Sequence, residues 1–517
     1  MNLTDVKEIT LQTLAKSEEM RAALGAANPE LLKAGWVQSA TATSGITAYD
    51  LEAPAKLLFP VITPLRNMIP RVSGKGGIQA NWRAVTALNT QNLGIGVEEG
   101  KRSGVTTTQT TDYIAIYKEL GLEDSVTFKA DRAAVGFEDL KALSVSNLLK
   151  ATMIEEERIM LGGNTSLALG TTANATLTQA NSGGALLGNT AYGVGVVALT
   201  LDGFRRAALA GGVVQQYTRS NADGTTTVIN GGTAAPSSQA NITTANDGAN
   251  LHIINATVTA KAGAFAYAWF WAAAASALVL GAITTINSVV ITANATGTST
   301  SPGTANFSAL TANDFSTDGL VFDGILTFAA NASLNSYQQV MATGNAGVGT
   351  PLTADGYGGV KEIDTALKYF WDNFRLSPTR IWVNSQEMKN ITNAVLKNAN
   401  TGAQRFNVVV DNSGMIAGGF KIASYLNKYT MNGGQEIPVL IHPNMPAGTI
   451  LFDTDELPYP QSNVANVKQM LLRQDYWQIE WPVTTRKYPF GVYFDGVLQN
   501  YFPPAFGIIT NIADGLN

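Results

Sequence analysis

Residues 136–161 read as one helix without a gap, running through Glu155-Glu156-Glu157-Arg158-Ile159-Met160-Leu161 and stopping at Gly162-Gly163-Asn164. At 1.5 Å per residue such a helix is about 39 Å long. Val145, Leu149 and Met153 are spaced by four and share a face. Gly162 and Gly163 are placed to supply a left-handed C-terminal cap. Consecutive helical positions point in different directions, so Glu155, Glu156 and Glu157 cannot converge on one atom. With Arg158 they read as a solvated or intersubunit charge face rather than a catalytic or metal-binding cluster.

What precedes this helix is extended. Residues 78–87 alternate as a strand, and the threonine-rich residues 105–117 end in the strand-like Asp112-Tyr113-Ile114-Ala115-Ile116-Tyr117. Between them lies a glycine-rich tip, residues 94–104, with Glu98, Glu99, Lys101 and Arg102 as a mixed-charge cluster. A long hairpin with little apolar content cannot stabilise itself. It needs a partner surface, and these four charges are candidates for intersubunit ion pairs. Upstream, Pro54, Pro60, Pro64 and Pro70 punctuate residues 51–72 and favour extended segments. Residues 1–50 read as an arm of short helical pieces with a flexible connector from Ser39 to Ser44.

After the helix the composition changes. Between residues 171 and 320 the charged residues are Asp202, Arg205, Arg206, Arg219, Asp223, Asp247, Lys261, Asp314 and Asp318. Short β-rich runs separated by turn signals such as Asn221-Ala222-Asp223-Gly224 predict an inserted sandwich-like domain of immunoglobulin or fibronectin type. Within it, Ala262 to Ile283 is uncharged and long enough to cross a bilayer. Yet Phe265, Tyr267, Trp269 and Trp271 share one parity and alternate with alanines, and only Phe270 breaks the pattern. Period two marks a strand with one bulky and one small face.

From Phe322 onward the chain predicts an α/β segment. Val360, Ile363, Leu367, Phe370 or Trp371, and Phe374 mark an amphipathic helix ended by Ser377-Pro378. Arg380–Val383 reads as a strand, and Asn384-Ser385-Gln386-Glu387 as a helix start with Met388, Ile391 and Val395 on one face. Residues 439–441, 449–452, 477–481 and 491–498 read as strands.

Chemistry is sparse. There is no cysteine, so neither disulfides nor thiolate metal sites are available. His252 and His442 lie in apolar contexts and read as structural histidines. Zinc, nucleophile-elbow and phosphate-loop motifs are missing, and Gly344–Gly349 resembles a dinucleotide loop only in spacing. No catalytic, cofactor-binding or metal-binding residue is expected. The net charge of −5 argues against a dedicated nucleic-acid binder. Only 14% of the 517 residues are charged, which leaves much surface for burial against other subunits. The first residues lack the basic and apolar regions of a secretion signal and read as a short amphipathic helix.

The order of arm, extended hairpin, long helix and α/β segment resembles the major capsid proteins of tailed bacteriophages, the Hong Kong 97 fold. The most family-like strings are Glu157-Arg158-Ile159-Met160-Leu161-Gly162-Gly163-Asn164 and Leu51-Glu52-Ala53-Pro54-Ala55-Lys56. The resemblance implies an α+β fold with an N-terminal arm (residues 1–72), an extended loop (73–120), and a spine helix with the peripheral domain (121–170). The inserted β-rich domain would fill 171–320, an axial domain 321–490, and residues 491–517 would return to the peripheral domain. It also implies hexamers and pentamers tiling an icosahedral shell, assembled in a host cytoplasm with a separate scaffolding protein and a portal. Decoration proteins can join such shells, and the packaged double-stranded DNA would be touched non-specifically. Some family members form a Lys–Asn crosslink; Lys101 has the position for it, but no partner is marked and none is expected. The alternative class is a bacterial surface-layer or adhesin protein, which suits the low charge but needs an export signal. A polysaccharide-active enzyme would need paired carboxylates, which the spacing does not offer.

Overall fold

In a computed structural model, the described residues are 58–88, 94–136, 138–248, 250–273, 277–396, 410–411, 414–415, 422–431 and 433–514, with Lys16. The expected N-terminal helix, the Ser39–Ser44 connector and the Leu51–Lys56 string lie outside them. The chain forms two units, residues 1–59 with 133–139 and residues 60–132 with 140–517. The elements below belong to the second, apart from the end of one short helix.

The described chain opens with helix α1 (Pro64–Met68) and strand β1 (Arg71–Ser73). Strands β2 (Gln79–Ala87) and β3 (Gln109–Ile116) form an antiparallel hairpin, and β4 (Lys118–Thr127) follows. Helices α2 (Phe128–Ala134) and α3 (Leu140–Gly162) come next. The β-rich stretch holds β5 (Thr176–Ala180), β6 (Ala191–Leu199), α4 (Leu201–Arg206), β7 (Gln216–Ser220), β8 (Thr226–Asn230) and β9 (Ala240–Thr243). It closes with β10 (Ile253–Thr257), β11 (Ala266–Ala273), β12 (Val279–Thr284) and β13 (Ser288–Ile291). The remainder carries α5 (Ile325–Ala330), β14 (Tyr337–Val340), α6 (Lys361–Phe374), β15 (Arg380–Val383) and α7 (Ser385–Leu396). Then come β16 (Val410–Asp411), β17 (Gly414–Met415), β18 (Ser424–Asn427), β19 (Gln435–Ile441) and β20 (Ile450–Asp453). The last strands are β21 (Lys468–Glu480), β22 (Lys487–Asn500) and β23 (Gly507–Thr510).

The long helix differs from its expectation at both ends. Gly136 has φ +85°, a left-handed conformation that only glycine adopts without strain, so the expected start at 136 is a break between α2 and α3. The 23 residues of α3 span about 34 Å. At the other end neither Gly162 nor Gly163 is left-handed. Gly163 N–H continues the helix to Ile159 O at 2.8 Å. What demands glycine there is close approach: a Cβ on Gly163 would sit 2.2 Å from Phe322 O, and one on Gly162 2.3 Å from Leu201 Cδ2.

Helix α3 lies on a four-stranded sheet of order β1-β21-β22-β4, where Leu148 meets Val126, Phe490 and Val492, with Val145 and Leu149 alongside. The prolines upstream do not hold that segment extended throughout. Pro64 opens α1, because at the first helical position its fixed φ fits and its missing N–H costs nothing.

The β-rich stretch stacks a three-stranded sheet (β13-β10-β5) on a four-stranded one (β12-β11-β6-β9), with Ile254, Val289, Val194, Trp269 and Trp271 in one shared core. Strand β11 lies within the uncharged run Ala262–Ile283 that imitated a membrane span. Its large parity, Tyr267, Trp269 and Trp271, enters that core. Its small parity, Ala266, Ala268 and Phe270, enters a second core with Leu280, Val213 and the half-buried Phe307. Being buried on both faces removes any need for polar residues, which explains the absence of charge. Phe270 breaks the alanine pattern because it fills this second core, its ring 5.3 Å from Phe307. No helix among the described residues is long and apolar enough to cross a membrane.

The last part builds a six-stranded sheet of order β14-β23-β20-β15-β19-β18. Helix α6 buries Ile363, Leu367 and Phe370. It ends at Arg375 (φ +52°), whose guanidinium caps Trp371 O and Asp372 O at 2.8 and 2.9 Å, two residues before the expected Ser377-Pro378 stop. Asn384 Oδ1 accepts the Gln386 N–H at 3.0 Å and opens α7. Two expected assignments change. Residues 468–480 lie in the sheet beneath α3, not in the α/β segment. The C-terminal strand β23 sits inside the six-stranded sheet, paired to β14 and β20, so residues 491–517 do not simply return to the long helix.

Candidate functional site

The β2–β3 hairpin is a two-stranded ribbon outside the larger sheets. On one face Trp82 stacks on Tyr113 at 5.8 Å and meets Tyr501 edge-on at 5.7 Å. The other face exposes Val85, Ile114 and Ile116, with Ile78 at its base. Arg83 and Asp112 are register partners on that face, joined by two bonds of 2.5 and 2.8 Å that hold the Asp112 carboxyl below the usual range. Every described residue from 94 to 112 is exposed. The root is firmer. Arg473 donates to Gly77 O at 2.9 Å, lies 5.1 Å from the Tyr117 ring and pairs with Asp495.

A buried polar cluster ties α1 and β1 to α3. Glu156 Oε2 accepts from Arg66 Nε at 2.9 Å and from Tyr476 OH, and Oε1 accepts from Arg71 Nη1 at 2.6 Å. Both guanidiniums lie 5.1 Å from the Tyr476 ring. Burial and the Glu156 charge push the Tyr476 phenol well above its ordinary pKa. Burial opposes the charge on Arg71, but Asp475 at 2.7 Å and Glu156 outweigh it and raise its pKa. The adjacent Glu157 takes different partners: the N–H groups of Leu65 (2.9 Å) and Arg66 (2.7 Å), and His442 Nε2 at 2.6 Å. His442 Nδ1 accepts the Asn444 N–H at 3.1 Å, so Nε2 carries the proton that faces Glu157.

These contacts correct one expectation. Glu156 and Glu157 are buried and engaged within their own chain, so neither belongs to a solvated or intersubunit charge face. Glu155 is exposed and pairs with Arg158 along the helix. At the hairpin tip Glu98 pairs with Lys101, and Glu99 and Arg102 are exposed. The sequence expectations missed Arg66, Arg71 and Tyr476 as partners of this cluster, whereas His442 is the buried structural histidine its apolar context predicted. The readable signal was Leu148-Thr152-Glu156-Met160, an i, i+4 row whose polar members disguise a buried face.

Beside α3 lies a cavity of about 630 Å³. The helix contributes Glu155, Arg158 and Ile159; α4 contributes Asp202, Arg205 and Arg206; β7 contributes Tyr217 and Arg219. Arg206 pairs with Asp202 at 2.7 Å and lies 4.5 Å from the Tyr217 ring. Asp318, also on the wall, is held above the usual carboxylate range by burial.

No family model and no curated protein matches the chain. Among solved structures it is similar to the capsid of a native GTA particle, at 10% identity over 92% of this chain and 100% of that chain, TM-score 0.39. It is similar to the capsid of Myoviridae phage XM1, at 9% identity over 91% of this chain and 100% of that chain, TM-score 0.39. It is also similar to the capsid of cyanophage P-SCSP1u, at 7% identity over 91% of this chain and 95% of that chain, TM-score 0.38.

Proposed function

We propose that this chain is a major capsid protein of a tailed bacteriophage, a structural subunit that assembles into hexamers and pentamers of an icosahedral shell around double-stranded DNA. The observation that carries the reading is the β2–β3 hairpin. Its described residues 94–112 are all exposed, and its outer face presents Val85, Ile114 and Ile116 to solvent. An isolated two-stranded ribbon is marginal in water, so the hairpin has its use when a second copy covers it.

In the terms of the Hong Kong 97 fold, α3 is the spine helix and the four-stranded sheet beneath it the peripheral domain. The hairpin is the extended loop, the six-stranded sheet the axial domain, and residues 171–320 the insertion. Scaffolding protein and portal act during assembly, DNA is touched non-specifically, and the subunit resides in the virion after assembly in the host cytoplasm. Decoration proteins can join the finished shell.

Purified protein, with and without a co-expressed scaffold, tests the reading by light scattering and negative-stain microscopy. Shells or ring-shaped capsomers are expected, with interfaces of about 2,000–5,000 Å² as in obligate assemblies. A compact monomer under both conditions would sink it.

A further inference from the structure

A second buried polar cluster joins the six-stranded sheet to the sheet beneath α3. Lys468 opens β21 and Asp453 ends β20, so the two stand in different sheets. Their side chains are 1% and 0% exposed, and the Lys468 ammonium is in contact with Asp453 Oδ1. Lys468 Nζ also donates to Asp455 Oδ1 at 2.6 Å and lies 5.6 Å from the Phe506 ring. On the other oxygen of Asp453, Trp382 Nε1 donates to Oδ2 at 2.9 Å, with Arg380 Nη1 at 3.5 Å.

The two carboxylates differ in their surroundings. Asp455 is 28% exposed and sits in the Arg380 fork, with Nη1 at 3.0 Å from Oδ1 and Nη2 on Oδ2. Burial works against its charge, but Lys468 and Arg380 outweigh it and keep its pKa below the ordinary value. It is an ionised base with a path to water. Asp453 has no such path. A primary amine and a carboxyl group held in contact away from water are the two halves of an amide, and such confinement is worth effective concentrations of about 10⁵–10⁸ M.

We propose that Lys468 and Asp453 condense into an isopeptide bond within one chain, with Asp455 carrying the protons. The ammonium passes one proton by way of Asp455 to Asp453 Oδ1 and becomes a free amine, the nucleophilic form that desolvation favours. Its lone pair attacks Asp453 Cγ. The C–N bond forms while negative charge gathers on Oδ2, within reach of Trp382 and Arg380. Asp455 takes a second proton from the nitrogen and hands it to the Oδ1 hydroxyl, which leaves as water as the carbonyl re-forms. Asp455 ends as the carboxylate it began as, and no other reactant is consumed. One buried cation and one buried anion disappear together. Arg380 keeps Asp455, so no charge is stranded. The bond ties β20 to β21 whether or not the chain assembles with other copies.

The purified full chain, incubated in its native state and then denatured, tests this by mass spectrometry. Its intact mass is expected to fall short of the sequence mass by one water. Trypsin should fail at Lys468 and release Tyr429–Arg473 as one peptide lighter by that water. Cleavage after Glu456, which lies between the two residues, should leave pieces that stay joined. Lys468→Met and the near-isosteric Asp455→Asn should both show the full mass, with circular dichroism confirming that each is folded. A full-mass wild type cut normally at Lys468 would overturn the bond. So would a water loss that maps to another position, and a water loss that persists in folded Asp455→Asn would overturn the assigned proton path.

Discussion

At the residue scale, two buried carboxylates have different work and respond to different perturbations. Glu156 neutralises Arg66 and Arg71, which are 15% and 19% exposed, and accepts from Tyr476. Removing one partner of a buried pair strands the others. Glu156→Ala should therefore destabilise the fold by about 3 kcal/mol, the lower end for buried pairs, because Arg71 keeps Asp475 and both guanidiniums reach some water. Calorimetric melting checks it; an unchanged melting temperature would mean that α1 and β1 are not held by this cluster. Glu387 is the opposite case. It is fully buried and, among the described residues, accepts from neutral donors, Asn390 Nδ2, Gln386 Nε2 and Gly448 N–H, at 3.1–3.2 Å. Burial pushes its pKa from 4.5 up to about 7. The folded chain thus holds a proton that the unfolded chain releases between those values, and this contribution is full below about pH 4.5 and lost as pH rises through 7. It amounts to about 3 kcal/mol. Glu387→Gln cannot ionise, so its melting temperature should fall less than the wild type's between pH 5 and pH 8. Parallel pH profiles for the two proteins would refute this origin.

At the element scale, the hairpin and the body of the subunit should separate in their response to deletion. Removing Asn89 to Ser103 takes away the exposed residues 94–103 of the tip, and the root bonds of Arg473 to Gly77 and Asp495 remain. The shortened chain should keep its far-ultraviolet circular dichroism and melting temperature as a subunit, yet form fewer or less heat-resistant shells. Normal shells with wild-type heat resistance would leave the tip without an assembly role. Elements of this kind were legible in the sequence because period and turn chemistry report on local structure. Strand Arg380–Val383, the α6 face of Ile363, Leu367 and Phe370, and the period-two run of β11 all appear where their patterns put them. What was not legible depends on contacts distant in the chain. Thr152 and Glu156 look solvated on a helical wheel, and only Arg66, Arg71 and Tyr476, brought in from elsewhere, make their row an inner face. Gly162 and Gly163 look like a cap until Phe322 and Leu201 show that glycine is needed for closeness. Likewise β21 and β23 read as strands, but pairing partners, not local pattern, decide which sheet receives them.

At the scale of the whole molecule, the proposed shell raises the question of which side the β-rich stretch would occupy. Its two sheets share a core of their own. Asn287 also bonds to Thr343 at 2.9 Å and to Asn511 at 2.8 Å, so the stretch is fastened to the six-stranded side by polar contacts. Its surface is almost without charge: Arg205, Arg206, Arg219 and Lys261 are its only cations between residues 171 and 320. A module facing packaged DNA would need Lys and Arg to offset phosphate repulsion. Of these four, Arg206 is already paired with Asp202, and Arg205 and Arg219 line the cavity beside α3. The outer surface of the shell is the side where an uncharged, threonine- and asparagine-rich face costs least. The turn between β7 and β8, exposed from Ala222 to Thr225, is then open to protease in intact particles. Limited digestion of filled particles with a protease of broad specificity should cut within Thr218–Asn250 while the shells stay closed. Protection of that stretch in filled particles, with cleavage only after they are disrupted, would place it on the DNA side.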